Sequence, residues 1–119
     1  MRSLFNSGLT LGLLLVGLSQ GLAEEAKPSV TKIAVYSDVG AGRSRTDLLA
    51  ALESDKRLDV RKVTAEDIRA GKLQGMDVIV HPGGSGSQQA RQLGPNGREA
   101  VRDFVRNGGG MIGVCAGAY

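Results

Sequence analysis

Four short segments of the chain carry the apolar patterns that predict β-strands. Residues 32–37, 76–81 and 110–115 are nearly continuous apolar runs, which is typical of buried strands. Residues 57–63 ("RLDVRKV") alternate between apolar and polar positions, which predicts a strand nearer the edge of a sheet.

The segments between these strands carry helix signals. Each predicted helix has a polar residue that can cap its first turn and a residue that ends it. A capping box of Ser44 and Asp47 predicts a helix over residues 45–54. Thr64 and Asp67 form a second box before a short helix that Gly71 ends. After a polar connection, Asn96 is expected to cap a third helix that ends at Asn107–Gly108.

Strands that alternate with helices predict an α/β fold with a parallel sheet and helices on both faces. In such sheets, ligands bind at the carboxyl ends of the strands, beside the point where the strand order reverses. Three glycine-rich loops follow predicted strands and should meet at that edge: "DVGAGRS", "HPGGSG" and "VCAGAY".

The first 23 residues have the composition of a secretory signal peptide. A basic start, an uncharged apolar run ("LTLGLLLVGL") and small residues before the expected cleavage after Ala23 all fit that pattern. An uncleaved anchor or a buried helix is the alternative. We therefore divide the chain into a signal peptide at 1–23, a flexible leader at 24–31 and a domain at 32–119, and expect a periplasmic or secreted protein.

Composition excludes several function classes. The net charge is only +3, the charges are mixed, and aromatic residues make up 3 % of the chain, so we expect neither a nucleic-acid partner nor membrane binding after signal cleavage. We find no metal-ligand cluster, phosphate loop or dinucleotide fingerprint, and predict no metal and no cofactor.

The only cysteine, Cys115, lies in "GVCAG" at the end of a predicted buried strand. Gly-x-Cys-x-Gly is the pattern of a nucleophile elbow in which sulfur replaces oxygen. A helix that begins after Cys115 would direct N–H groups at the sulfur and favour the thiolate. The alternative is an inert core cysteine in a glycine-rich strand end.

The "HPGG" segment predicts the second part of such a site. Acyl transfer needs two N–H groups aimed at the developing oxyanion. One is expected from Ala116 and the other from Gly83 or Gly84, because glycine lets the backbone approach closely. An ordinary Pro-Gly turn is the alternative.

Residues 32–119 resemble the class I glutamine amidotransferase-like superfamily through "VIVHPGGSG" and "VRDFVRNGGGMIGVCAGAY". Within it, the chain is most similar to the N-terminal domain of biotin–protein ligases. The resemblance implies a flavodoxin-like three-layer sandwich, of which only the N-terminal half is expected here. It also implies that Cys115 is the nucleophile, which attacks a small-molecule amide, as in relatives that take ammonia from glutamine, or else a substrate of unknown class. The resemblance places the oxyanion donors at Ala116 and at Gly84, with Gly83 as second choice.

The histidine and acid that complete the triad in this superfamily come late in the chain, after the elbow. Here the only histidine is His81, which we consider as a substitute base against the alternative of a turn histidine. Asp38 is expected to be a loop or cap residue, or else to orient a substrate or the thiol. We therefore predict no turnover by the chain as given.

Two other functions stay open. One is a non-catalytic binding or assembly module with the same fold, and the other is redox sensing by the thiol. The last strand should expose Met111, Ile112 and Val114 on a sheet edge, so a partner chain or an oligomer is expected to cover it.

Overall fold

The computed structural model describes residues 29–119. The predicted signal peptide and all but the end of the predicted leader lie outside the described residues. The elements are β1 (Thr31–Tyr36), α1 (Ser44–Glu53), β2 (Leu58–Val63), α2 (Ala65–Arg69), β3 (Val78–His81), α3 (Gly86–Arg106), β4 (Gly110–Gly113) and a final 3₁₀ turn (Cys115–Ala118). No helix among these residues is long and apolar enough to cross a membrane.

The four strands form one parallel sheet in the order β2-β1-β3-β4. This is the predicted α/β class, and the strand order is that of a flavodoxin-like sandwich. The chain runs outward from β1 to β2 and then crosses back to β3, so the order reverses between β1 and β3. The loops that follow these two strands are therefore the expected walls of a ligand site.

Alternating strand residues divide the core between the two faces of the sheet. Ile33, Val35 and Val80 pack with Leu49 of α1 on one face. The other face packs against α2 and α3, and its fully buried strand residues are Ala34, Tyr36 and Ile79. Each face is covered by helices, which explains the nearly continuous apolar runs of β1 and β3.

The two edge strands differ. β2 carries charged residues, and an ion pair of 2.9 Å joins Arg61 to Asp59. β4 instead exposes 48 % of Met111, 52 % of Ile112 and 39 % of Val114, the residue after it. Among the described residues β4 pairs only with β3, so the expected exposed apolar edge is present.

Three predictions about where helices begin and how they are capped were wrong. Arg43 precedes α1 without a side-chain cap, and Ser44 is already helical, so the first capping box does not form. The polar connection before Asn96 is helical from Gly86 onward, because the Ser85 hydroxyl accepts from the N–H of Gln88 and caps it. Gly94, at φ 66°, breaks α3 into two parts.

The second part of α3 begins at Pro95, whose fixed φ suits a first helical position, so Asn96 is not the cap. The other signals were right. The Thr64–Asp67 capping box forms with both of its hydrogen bonds, and Asn107 and Gly108 end α3.

Candidate functional site

The loops that follow β1 and β3 are bonded to each other at the carboxyl ends of the strands. The N–H of Gly42 donates to the carbonyl of Gly83 at 2.7 Å, and the N–H of Ser85 donates to the carbonyl of Gly40 at 2.8 Å. The point where the strand order reverses is thus closed by backbone hydrogen bonds, and the two loops form one rigid unit.

Glycine is required at position 84 of this unit. Gly84 lies opposite Ala41 in an isolated antiparallel bridge and has φ 133°. A Cβ there would collide with the carbonyl of Gly40 and lie 2.5 Å from the nitrogen of Gly42. The glycines therefore let the backbones of the two loops come closer together than side chains would permit.

Cys115 follows β4 and begins the final turn. Its φ is 53°, and it is the only non-glycine residue with a positive φ among residues 29–119. A residue held in this left-handed region costs about 1–3 kcal/mol, and such strain concentrates at functional sites. The side chain is exposed. The backbone thus has the sharp strand-to-turn geometry expected of an elbow, with the thiol at the surface.

The small residues around the thiol fit where larger ones would not. A Cβ on Gly117 would collide with the carbonyl of His81 and lie 2.6 Å from that of Pro82. A Cβ on Gly113 would lie 2.5 Å from the Cα of Ala118. The final turn is therefore packed directly on the segment that leaves β3, although three residues after Ala116 are too few to hold a stable turn by themselves.

Gly83 lies beside the cysteine. A Cβ added to Gly83 would be 3.4 Å from the Cβ of Cys115 and 3.6 Å from the carbonyl oxygen of Val114. The N–H of Val114 donates to the carbonyl of His81 at 2.9 Å, which fixes the end of β4 against β3. The structure thus brings Cys115 and the Pro-Gly-Gly segment together.

The N–H groups predicted as oxyanion donors are available. Within residues 29–119, those of Gly83, Gly84 and Ala116 donate to no protein acceptor. The next N–H, that of Gly117, closes the final turn on the carbonyl of Val114 at 2.9 Å. Three N–H groups therefore remain unbonded in the segments that sequence reasoning named.

His81 is buried, with 5 % of its surface exposed, and its ring stacks on Tyr36 with ring centres 5.4 Å apart. Burial lowers the pKa of the ring, and a hydrogen bond to Gln89, with Nδ1 3.2 Å from Oε1, opposes that effect. No hydrogen bond joins the ring to Cys115 in the described part of the chain. The thiol has no hydrogen-bonded base there.

Sequence reasoning missed Gln89, which is 3 % exposed. Its amide nitrogen donates to the carbonyls of Pro82 at 2.8 Å and Gly40 at 3.3 Å, while its oxygen meets His81. One side chain therefore ties both loops and the histidine together. Nothing in the sequence distinguished Gln89 from the adjacent Gln88, and both lie in a segment that was predicted to be a polar connection.

Asp38 is a loop residue that holds α2 in place. Its carboxylate accepts from the N–H of Val39 at 2.7 Å and from that of Ala65 at 3.0 Å, with the amide of Gln92 at 3.5 Å. Burial alone would raise the pKa of this carboxyl, but the hydrogen bonds outweigh it and hold the pKa below its usual range. Its bonds serve its own loop, the start of α2 and one side chain of α3.

Two clefts lie at opposite ends of the sheet. The larger, of about 600 Å³, is at the amino ends of β3 and β4 and touches none of the candidate residues. The smaller, of about 270 Å³, includes His81, Gln89, Ala116 and Gly117 in its lining. We take the smaller cleft as part of the site because it adjoins the elbow. No group of three metal-ligating side chains occurs in the part of the chain that the structure describes.

The comparisons with known proteins give one match. The family model described as "Biotin-protein ligase, N terminal" matches residues 31–119. Searches of curated proteins and of solved structures found no match to this chain. The match begins at the first residue of β1 and includes every element described above.

Proposed function

The chain belongs to the biotin-protein ligase N-terminal family, and we propose that it is an exported amidotransferase-like domain whose nucleophile is Cys115. The left-handed backbone of Cys115, at the carboxyl end of β4 and against Gly83, is the observation that carries this proposal. An inert core cysteine would be buried and would have no reason to hold a strained backbone, whereas this thiol is exposed.

The chemistry proposed is acyl transfer from a small amide. The thiolate attacks the carbonyl carbon, a C–S bond forms, and the carbonyl oxygen becomes an oxyanion. The C–N bond then breaks, and the amine leaves with a proton. Water finally attacks the thioester, giving a carboxylate and restoring the thiol.

The oxyanion is stabilised in this proposal by two N–H groups. Ala116 supplies one, and Gly84 or Gly83 supplies the other. A single donor of this kind is typically worth about 10²–10³ in rate. The bonds that join the loops after β1 and β3 hold the second donor in place before the substrate arrives.

Turnover also needs a proton for the leaving amine, and general acid–base help is worth about 10²–10⁴-fold. The Nδ1 atom of His81 is taken up by Gln89, and Asp38 bonds the start of α2. We therefore propose that this chain completes acyl transfer only with substrates whose leaving group needs no proton, such as activated esters, and that it does not release ammonia from glutamine or simple amides. Ammonia release that disappears in Cys115→Ala would contradict this, and His81→Ala would then test the histidine as base.

The experiment that tests the nucleophile uses an activated ester, which needs no acid. With p-nitrophenyl acetate, we expect one equivalent of nitrophenolate and a mass increase of one acetyl group. Because the chain has one cysteine, acetylation of a thiol reports on Cys115 alone. The matched controls are Cys115→Ala and a synthetic peptide of residues 112–119. Acetylation no faster than that of the peptide would refute the proposal, since the fold would then add nothing.

Export is part of the same proposal. It rests on the basic start, the apolar run and the small residues before Glu24. Sequencing of exported protein should give Glu24 as the first residue. An intact Met1 on exported material would argue against a cleaved signal.

A second candidate function is assembly, which the bare apolar edge of β4 favours. An unpaired strand with exposed Met111 and Ile112 is a template for another strand, and the occupant proposed is a second copy. Light scattering after gel filtration should show a dimer that Ile112→Lys converts to a monomer. A monomer at high concentration before mutation would exclude this function.

A further inference from the structure

The cleft of about 270 Å³ between α3, β4 and the final turn has a chemical character that neither the nucleophile nor the oxyanion donors explain. Leu93, Val101 and Met111 give it apolar walls. His81, Arg98 and Arg102 are its ionisable side chains apart from Tyr119, and no Asp or Glu side chain lines it. A site with this lining suits a small apolar anion.

The surroundings of Gln89 determine which nitrogen of His81 carries the proton. Two carbonyls, of Pro82 and Gly40, face one end of the Gln89 amide, so that end must be the NH₂ group. The other end is then the oxygen, which can only accept. The Nδ1 atom of His81, 3.2 Å from it, must therefore be the donor, and Nε2 carries a lone pair.

That lone pair has no protein donor among residues 29–119. Yet no described side-chain nitrogen or oxygen is both fully buried and unbonded. Nε2 therefore keeps an opening to solvent, although only 5 % of the residue is exposed. His81 is a lining residue of the cleft, and Nε2 can reach solvent there. A buried ring whose only acceptor atom is unbonded and reaches solvent is suited to a hydrogen-bond donor from a ligand.

The two arginines supply the charge. Arg98 uses Nη1 to bond the carbonyl of Ala90 at 2.9 Å, which leaves its other N–H groups. Arg102 shares Glu99 with Arg106, at 2.9 Å and 2.6 Å respectively. Arg102 is thus held only by an exposed carboxylate that Arg106 also binds, so its side chain can turn to an anion at small cost.

We propose that this cleft binds a small carboxylic acid that carries a hydroxyl or N–H group and an apolar body. The donor group bonds Nε2 of His81, the carboxylate is held by Arg102 with Arg98, and the apolar body packs on Leu93, Val101 and Met111. Since Ala116 also lines the cleft, the ligand lies beside the elbow. The proposal does not depend on Cys115 being a nucleophile.

The tautomer is tested first. The chain has one histidine, so ¹⁵N-histidine labelling gives a single ring without assignment. Long-range ¹H–¹⁵N spectra of the full chain near neutral pH should show a protonated Nδ1 and an unprotonated Nε2. Protonation on Nε2 would overturn the proposal, because the ring would then have no acceptor to offer.

The ligand class is tested with mandelate, which has a carboxylate, a hydroxyl and an apolar ring. We expect saturable, low-millimolar binding that moves the Nε2 resonance. O-methylmandelate lacks the donor and phenylacetate lacks the hydroxyl, and each should bind about fivefold more weakly, as expected for one lost hydrogen bond. Absence of mandelate binding, or equal binding of all three acids, would refute the proposal.

Variants place the ligand in the cleft. In His81→Phe, which keeps a ring on Tyr36, mandelate and phenylacetate should bind equally. If that variant does not fold, Arg102→Gln decides: mandelate binding should fall about tenfold, while mandelamide, which lacks the charge, should be unaffected. The matched control is Arg91→Gln, an exposed arginine outside the cleft. An equal loss in Arg91→Gln and Arg102→Gln would show general charge attraction and reject the site.

Discussion

The two ends of the sheet use the same residue for different purposes. At both ends, glycines have positive φ: Gly40 and Gly84 at the carboxyl ends, and Gly71, Gly75 and Gly108 at the amino ends. A Cβ at either carboxyl-end glycine would meet backbone atoms below 3 Å, whereas nothing lies within 4 Å of one at the amino ends. The positive-φ glycines at the amino ends only turn the chain, and those at the carboxyl ends bring two backbones together.

Polar groups differ between the ends in the same way. At the carboxyl ends, Gln89 and Asp38 bond backbone groups of several loops. At the entry to β2, Asp55 pairs with Arg57 at 2.6 Å, and the arginine is 84 % exposed. An exposed pair contributes little, whereas a buried side chain that satisfies several backbone groups is costly to remove. The carboxyl ends are therefore held in one conformation, as a preorganised site requires.

The largest expected loss of stability comes from adding a methyl group to a glycine at the carboxyl ends, and the same change at the amino ends is its control. Gly84→Ala combines a positive φ with backbone overlap, so it should lower the free energy of unfolding by about 3 kcal/mol or more. Gly75→Ala has only the positive φ, at 80°, and should cost about 1 kcal/mol. Urea unfolding followed by circular dichroism measures both. Equal losses would mean that the close approach at Gly84 relaxes easily.

Sequence alone predicted the strands and their parallel arrangement, because their apolar runs need cover on both faces. It also placed Cys115 and the Pro-Gly-Gly segment at one edge, since strand ends in a parallel sheet converge. It did not separate Gly84 from Gly75, because crowding around a glycine depends on a neighbouring loop that is distant in the chain. The first half of α3 was missed because its residues are mostly polar, including the buried Gln89, and because Gly94 breaks the pattern.

The second prediction concerns the polar network. Gln89→Leu removes the donor to Pro82 and Gly40 and the acceptor from His81, so it should cost about 2–3 kcal/mol. It should also slow acetylation of Cys115, because the loop that carries Gly83 loses an anchor. Gln88→Leu, at the exposed neighbouring position, is the matched control and should change neither quantity much. A similar loss of stability in both variants would mean that the hydrogen bonds of Gln89 add nothing beyond what any glutamine in this helix contributes.

This network shows why the site was only partly predictable. Cys115 could be named from local glycine spacing, since an elbow is a local feature. The state of His81 depends on Gln89, whose role follows from two carbonyls in separate loops. Such a role leaves no trace in residue type or spacing. The final turn was missed for a related reason: its support comes from contact with the segment after β3 rather than from its own length.

The smallest expected effect compares two carboxylates. Asp38→Asn loses one of the two backbone N–H bonds and should cost about 1–2 kcal/mol at pH 7. Asp55→Asn keeps an oxygen for the N–H of Arg57 and breaks only the exposed ion pair with its side chain, so its loss should be smaller and should shrink further in salt. Guanidinium unfolding is unsuitable because it screens charge, so urea is used with and without added NaCl.

Acid pH separates the same pair of variants. The pKa of Asp38 in the folded chain lies below its ordinary 3.8, so its stabilisation is present above pH 3.8 and is lost as pH falls below that value. The pKa of Asp55 is about 2, lowered chiefly by its hydrogen bonds with Arg57, so its contribution is lost as pH falls from 3.8 through 2. The difference between wild type and Asp38→Asn should therefore shrink in acid but persist in high salt, because backbone N–H groups are not screened as a mobile arginine is. Asp67 and Glu99 also titrate there, but they are common to all variants and cancel. If added salt removed the stability difference between wild type and Asp38→Asn as fully as that of Asp55→Asn, both carboxylates would act through surface charge alone.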